Sequence, residues 1–166
     1  MKIQIDDLEF NSEYFYIQSN TIVEKILFNN RTLYSKYEKF STPISPILFK
    51  QHQENELSLA LPLVENNKVN YLVIEYLQED WQTFSALIKH LFKTLKINDY
   101  FIYRNAKKEL LQIFIPRENI SLETAYKEVD DIKLILEFKS KKSYKIFPNR
   151  NLPKNYNIIT LPSQKI

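Results

Sequence analysis

The chain has 166 residues and a formal net charge of +3, with 44% apolar and 26% charged residues, a globular composition long enough for one domain with a hydrophobic core. It contains no Gly and no Cys, which excludes glycine-rich phosphate loops, EF-hands, nucleophile elbows, disulfides, thiol catalysis and Cys-ligated zinc. No apolar run is long enough to span a membrane, and the acidic opening MKIQIDDLEFNSE is unlike a targeting peptide, so a cytoplasmic protein is expected.

Taken in chain order, Thr21–Phe40 reads as two strands, TIVEKILF and RTLYSKYEKF, joined at Asn29-Asn30. Without Gly, Asn has to supply the left-handed turns, and Asn66-Asn67 and Asn98-Asp99 stand at two further expected turns. Pro43 and Pro46 break the chain ahead of a short helical piece, PILFKQHQ. The alternation in ELSLALPLV (Glu56–Val64) predicts a strand, with Pro62 at an edge or a terminus.

The apolar run NYLVIEYL (Asn70–Leu77) predicts a buried strand. Trp81, Phe84, Ile88, Leu91 and Leu95 share one face of a helix over Trp81–Ile97, with Asp80 as its N-cap. Tyr100–Tyr103 and Leu110–Ile115 form a hairpin across RNAKKE. Ser121 caps a second helix with Leu122, Tyr126, Val129, Ile132 and Leu136 inward, although IKLILEF could also end it as a strand. Asn157–Leu161 is the final strand.

The pattern predicts a single α+β domain over 1–166. Residues 70–162 form a split βαββαβ core, an antiparallel sheet with two helices on one face, and residues 1–69 extend it with a β-hairpin and edge elements.

Polar residues offer several sites. Glu75 interrupts an apolar strand and reads either as an exposed sheet-face carboxylate or as a metal contact. Arg104-Asn105-Ala106-Lys107-Lys108 reads either as an exposed turn or as a phosphate contact. Beyond Glu137 no acidic residue follows, while Lys139, Lys141, Lys142, Lys145, Arg150, Lys154 and Lys165 do, as a solvated face or an anion-binding surface would have it. Two distant histidines, His52 and His90, do not make a zinc site.

LVIEYL, YRNAKKELLQIFI and FPNRNLPKNYNIITLP together resemble the catalytic core of archaeo-eukaryotic-type primases over residues 70–162. Those enzymes have an RRM-like, ferredoxin-like core, an acidic pair on one strand and a small-residue-x-His motif on a later one. Some add an FPK…GN-x-I-x-LP segment, and they polymerise nucleotides with divalent metal. Here Glu75 stands at the first acid and Leu77 at the second; Asn105 lies near the start of the His motif, Glu109 replaces its Gly and Gln112 its His. In the last segment Phe147-Pro148, Asn157, Ile159 and Leu161-Pro162 match, while Asn149 replaces the Lys and Tyr156 the Gly. A closer resemblance, carried by IVEKILFNNRTLYSKYEKFSTPISP and FPNRNLPKNYNIITLP, is to an uncharacterised family of small epsilon-proteobacterial cytosolic proteins, and covers most of residues 14–162.

The primase resemblance implies a catalytically degenerate domain that binds a nucleotide or other polyphosphate, with magnesium accompanying a nucleoside triphosphate. Glu75 would contact the metal. Arg104, Lys107, Lys108, Arg150 and Lys154 would neutralise phosphates, and Asn105, Gln112, Asn149 and Asn157 would complete the anion site. Polymerase activity is not expected, because one carboxylate cannot hold two ions and Gln112 cannot exchange a proton. Two other readings stand beside this one. The chain could be a protein-interaction or regulatory module using exposed aromatics such as Tyr34 and Tyr37. It could also bind single-stranded nucleic acid through its sheet, with Tyr71, Tyr76, Tyr100 and Tyr103 facing outward together.

Overall fold

Two Asn-Asn pairs take the left-handed backbone that the absence of Gly leaves to them, with φ of 49° and 60° at Asn29-Asn30 and of 51° and 57° at Asn66-Asn67. Near the turn expected at Asn98-Asp99 the left-handed residue is instead Lys96, where φ is 58°. In the computed structural model, which describes residues 1–166, the chain is α+β and divides into two units: residues 1–65 with 150–161, and residues 66–149 with 162–166. No helix is long and apolar enough to cross a membrane.

The first unit opens with three strands that the sequence pattern did not reveal. β1 (Lys2–Ile5) and β2 (Leu8–Asn11) pair as a hairpin, and β3 (Phe15–Gln18) follows. β4 (Glu24–Phe28) and β5 (Arg31–Ser35) meet across Asn29-Asn30 and form a two-stranded sheet of their own. The chain then changes sheets, because β6 (Tyr37–Phe40) pairs with β3. α1 (Pro46–Gln53) starts where Ser45 Oγ accepts a bond from the Leu48 N–H, with Pro46 in the first turn. β7 (Leu59–Pro62) has Pro62 as its last residue, where a missing N–H interrupts no further ladder bond of that strand.

His52 fastens α1 to the sheet from inside. Its Nδ1 accepts from the Leu59 N–H at 3.0 Å, so Nε2 carries the proton and donates to the Leu161 carbonyl, also at 3.0 Å. Both backbone groups are thereby satisfied in a core built on Ile3, Phe15, Leu59, Leu61 and Leu161.

The second unit holds the most regular elements. β8 (Lys68–Tyr76) is buried along both faces from Tyr71 to Ile74. α2 (Trp81–Thr94) buries Phe84, Ile88, Leu91 and Phe92, and the Phe84 ring stacks on Tyr76 at 4.1 Å. Asp80 precedes α2 without capping it; its carboxylate is bound elsewhere. The helix closes in a Schellman pattern, Ile97 N–H to Phe92 carbonyl and Lys96 N–H to Lys93 carbonyl, which requires the left-handed Lys96.

β9 (Phe101–Asn105) and β10 (Leu110–Ser121) form the expected hairpin. Ser121 Oγ accepts from the Thr124 N–H and starts α3 (Leu122–Lys139), which runs through IKLILEF as helix and buries Leu122, Tyr126, Val129, Ile132 and Leu136. β11 (Lys145–Phe147) then pairs with β8.

The end of the chain departs from expectation. β12 (Ile158–Thr160) pairs with β7 in the first unit, giving the antiparallel order β12-β7-β3-β6. β7 therefore lies inside its sheet, with Pro62 tolerated as its terminal residue. β13 (Gln164–Lys165) returns to β9, completing the antiparallel order β11-β8-β10-β9-β13. The strand that closes this sheet beside β8 is thus 145–147, and not 157–161.

Candidate functional site

Strand register brings Glu75, Gln112 and Lys145 into one row, with Glu75 between the other two. Gln112 Nε2 donates to Glu75 Oε2 at 2.9 Å, and Gln112 is itself buried. Burial pushes the Glu75 carboxyl above its ordinary value; the Gln112 bond and the Lys145 charge work against that rise. Two of the residues expected at a metal–phosphate site are therefore adjacent, and they are bonded to each other. No group of three His, Cys, Asp or Glu side chains is arranged to hold a metal ion.

The same sheet face carries Tyr103 opposite Gln112, and the Phe114 ring takes Tyr71 and Tyr103 edge-on at 6.0 and 5.7 Å. Tyr76 points to the other face, onto Phe84. Tyr71, Tyr76 and Tyr103 are all buried and Tyr100 is half-buried. The four tyrosines do not form one exposed stacking platform.

In the loop after β9 the residues separate by role. Asn105 is buried and its Oδ1 accepts from the Lys108 N–H, three residues on, at 3.1 Å, a local side-chain-to-backbone bond that shapes the loop. Lys107 is exposed. Lys108 is half-buried, and burial, with help from the Lys107 charge, holds its amine below the ordinary lysine value. Arg104 lies on the helix side, its guanidinium 4.5 Å from the centroid of Trp81, and its buried Nη1 has no hydrogen-bond partner.

A polar cleft of about 580 Å³ opens at the end of β8, lined by Tyr76, Glu79, Asp80, Glu109 and Lys142. Two of its four charged side chains, Asp80 and Lys142, are paired with each other. Tyr76 donates to Asp80 Oδ1 at 2.6 Å, and Lys142 pairs with the other oxygen. That Lys142 bond holds the Asp80 carboxyl below its usual range, while burial and Asp80 push the Tyr76 hydroxyl up to about 12.

The remaining expected residues fall on either side of the unit boundary. Asn149 closes the second unit's long segment, whereas Arg150, Lys154 and Asn157 belong to the first unit. Arg150 and Lys154 are exposed. Asn157 is fully buried; its Nδ2 donates to the Pro153 carbonyl at 3.2 Å and its own carbonyl accepts from the Leu63 N–H. Asn105, Gln112 and Asn157 thus all spend hydrogen-bonding capacity inside the protein.

A different feature of the first unit stands open. β4 and β5 alternate so that Ile26, Phe28 and Leu33 face inward and are half-buried, while Lys25, Leu27, Thr32 and Tyr34 face outward. Leu27 is 78% exposed and Tyr34 56%; Ile22 and Val23, just before β4, are 52% and 46% exposed. Two polar bridges hold the inward face to the segment before β12. Arg31 Nη2 donates to the Asn151 carbonyl at 2.8 Å near the turn, and the Tyr156 hydroxyl donates to Glu24 at the base. Beside these bridges lies an apolar groove of about 310 Å³, with Ile26 and Leu33 on the hairpin side, Leu152, Tyr156 and Ile158 on the other, and Lys36 and Tyr37 also lining it. Burial and Glu24 push the Tyr156 hydroxyl up to about 12, so it remains a neutral donor.

Sequence reasoning pointed to Tyr34 and Tyr37 here and missed the rest. The available signal was TIVEKILF itself, which carries apolar residues on both faces of a strand.

Comparison with known proteins gives a match to one family, a domain of unknown function, DUF1882, over residues 2–71. That span contains the β4–β5 hairpin and ends within β8. None of the curated proteins matches the chain.

Proposed function

We propose that this chain is a protein-interaction module whose docking surface is the β4–β5 hairpin and its groove. The observation that carries this reading is the exposure of Ile22, Val23, Leu27 and Tyr34 together on and beside a two-stranded sheet that no other strand completes. A hairpin of two strands is marginal alone, and clustered apolar side chains in water mark a surface that another molecule covers. The groove adds a concave apolar slot of the size that receives one or two anchoring side chains. Selection of random twelve-residue peptides on the immobilised chain tests the reading, with Leu27→Asp/Tyr34→Asp as the counter-target. Peptides enriched on the chain and lost on the double variant are the expected result; no enrichment over the variant would refute it. Both replaced side chains are exposed, so the variant keeps its core.

Polyphosphate binding by a degenerate, primase-like core is a second reading, favoured by two observations. The order β11-β8-β10-β9, with α2 between β8 and β9 and α3 between β10 and β11, supports a split βαββαβ, ferredoxin- or RRM-like arrangement of residues 68–147. The buried Nη1 of Arg104 also has a donor to offer an anion. A thermal-shift titration with nucleoside triphosphate and magnesium decides it: binding to the folded state has to raise the melting temperature, and no shift at millimolar ligand refutes it.

A further inference from the structure

The backbone of the hairpin says how an occupant would attach. In a two-residue hairpin the residues flanking the turn exchange both hydrogen bonds, and narrow and wide pairs then alternate. Phe28 and Arg31 flank this turn, so Ile26 and Leu33 form the next bonded pair, while Lys25, Leu27, Thr32 and Tyr34 direct their N–H and C=O groups away from each other. Thr32 and Tyr34 consequently present an outer edge on β5, and no strand pairs with it. Tyr34 also lines the groove, which follows the chain from Leu33 through Tyr37.

Charge selects among the molecules that could dock there. Lys25, Arg31, Lys36 and Lys39 stand on residues 21–40 against only Glu24 and Glu38, and none of the four cations is ion-paired. Glu24 accepts from Tyr156. Lys36 lines the groove itself, and Lys25 lies over the Tyr34 ring.

Resting on the docking reading above, we propose that the occupant is an extended acidic segment of a partner protein. It adds as a third strand along β5, sets an apolar side chain into the groove, and places carboxylates near Lys25, Arg31 and Lys36. Strand addition gives main-chain hydrogen bonds to Thr32 and Tyr34, and the groove and the cations select the sequence. A basic segment would meet repulsion at Lys25, Arg31 and Lys36, and a helix would leave the edge unpaired.

The peptides selected on the full chain supply the test. Their expected pattern is alternation of apolar residues with Asp or Glu. A synthetic peptide of that pattern is expected to protect the Thr32 and Tyr34 amides from hydrogen exchange and to bind about tenfold more weakly to Lys36→Glu. N-methylation of the peptide amides that face β5 should abolish binding, and methylation of the alternate amides should spare it. Selected peptides that are basic or neutral, or binding indifferent to both methylation patterns, overturn the strand-addition proposal while leaving the docking surface in place. Self-association of the chain that Leu27→Asp removes also overturns it, since the occupant is then a second copy. Failure to enrich anything over the double variant removes the docking reading itself.

Discussion

β8 and the β4–β5 hairpin are written in similar letters: LVIEY and EKILF both place apolar residues at successive positions around a carboxylate or an amine. Their surroundings differ. β8 has β11 on one side and β10 on the other, and Leu72, Val73 and Ile74 are wholly buried. β4 has one neighbour, and Leu27 is left in water. A run of apolar residues therefore reports that a strand wants covering; only its lateral and facing neighbours decide whether the protein covers it alone.

Truncation should separate the two regions most sharply. Ile74→Ala is expected to lower stability by ~2–5 kcal/mol in urea unfolding, the cost of a cavity in a close-packed sheet. Leu27→Ala should stay within ~0.5 kcal/mol of the parent. A loss above ~2 kcal/mol at Leu27 would mean that its face is packed after all, and the contrast would collapse.

The polar interior of β8 gives a smaller, pH-dependent effect. Because burial raises the Glu75 carboxyl above its ordinary value, the folded state keeps a proton there that the unfolded chain has already released. Its stabilising contribution is complete below the ordinary carboxylate range and is lost as pH rises through the folded value. Glu75→Gln, whose amide oxygen can still accept from Gln112, should flatten the fall in stability on going from acid to neutral pH. Gln112→Leu should do the opposite, costing ~1–3 kcal/mol at neutral pH by leaving the carboxylate without its donor. Identical stability–pH curves for the parent and Glu75→Gln would show that this carboxyl is not desolvated.

The smallest expected effect lies at a turn. Lys96 holds a left-handed backbone at the end of α2, which costs a residue with a Cβ ~1–2 kcal/mol. Lys96→Gly relieves that and loosens the unfolded chain by ~0.4–1 kcal/mol. A net gain of ~0.5–1 kcal/mol should appear as a higher urea midpoint, and a loss would mean the lysine side chain holds the helix end.

Local signals in the sequence were sufficient for the elements that local signals build. Ser121 followed by apolar residues at steps of three and four predicts α3, and the Asn-Asn pairs predict two of the tight turns. Pairing is not local, and there the sequence was mute. Nothing in NIITL distinguishes a partner at β7 from one at β8, and four-residue strands such as KIQI and FYIQ are too short for their alternation to stand out. Asp80 looked like a cap because Asp commonly caps; a tyrosine four residues earlier and a lysine on a distant loop took its oxygens instead. Asn105, Gln112 and Asn157 stand out by their places in the motifs, and the bonds they make inside the protein were not legible, since a polar residue's partner is not written beside it. The groove was legible only as an excess of apolar residues in TIVEKILF.

The outward face of β4–β5 is the surface on which binding depends. Calorimetric titration of one selected peptide into the parent chain and into Leu27→Asp/Tyr34→Asp measures this directly, with the urea midpoint of each confirming that both are folded. Loss of ~2–4 kcal/mol of binding free energy in the double variant, as for anchor residues of an interface, is the predicted result. Equal affinity for two folded proteins would contradict it.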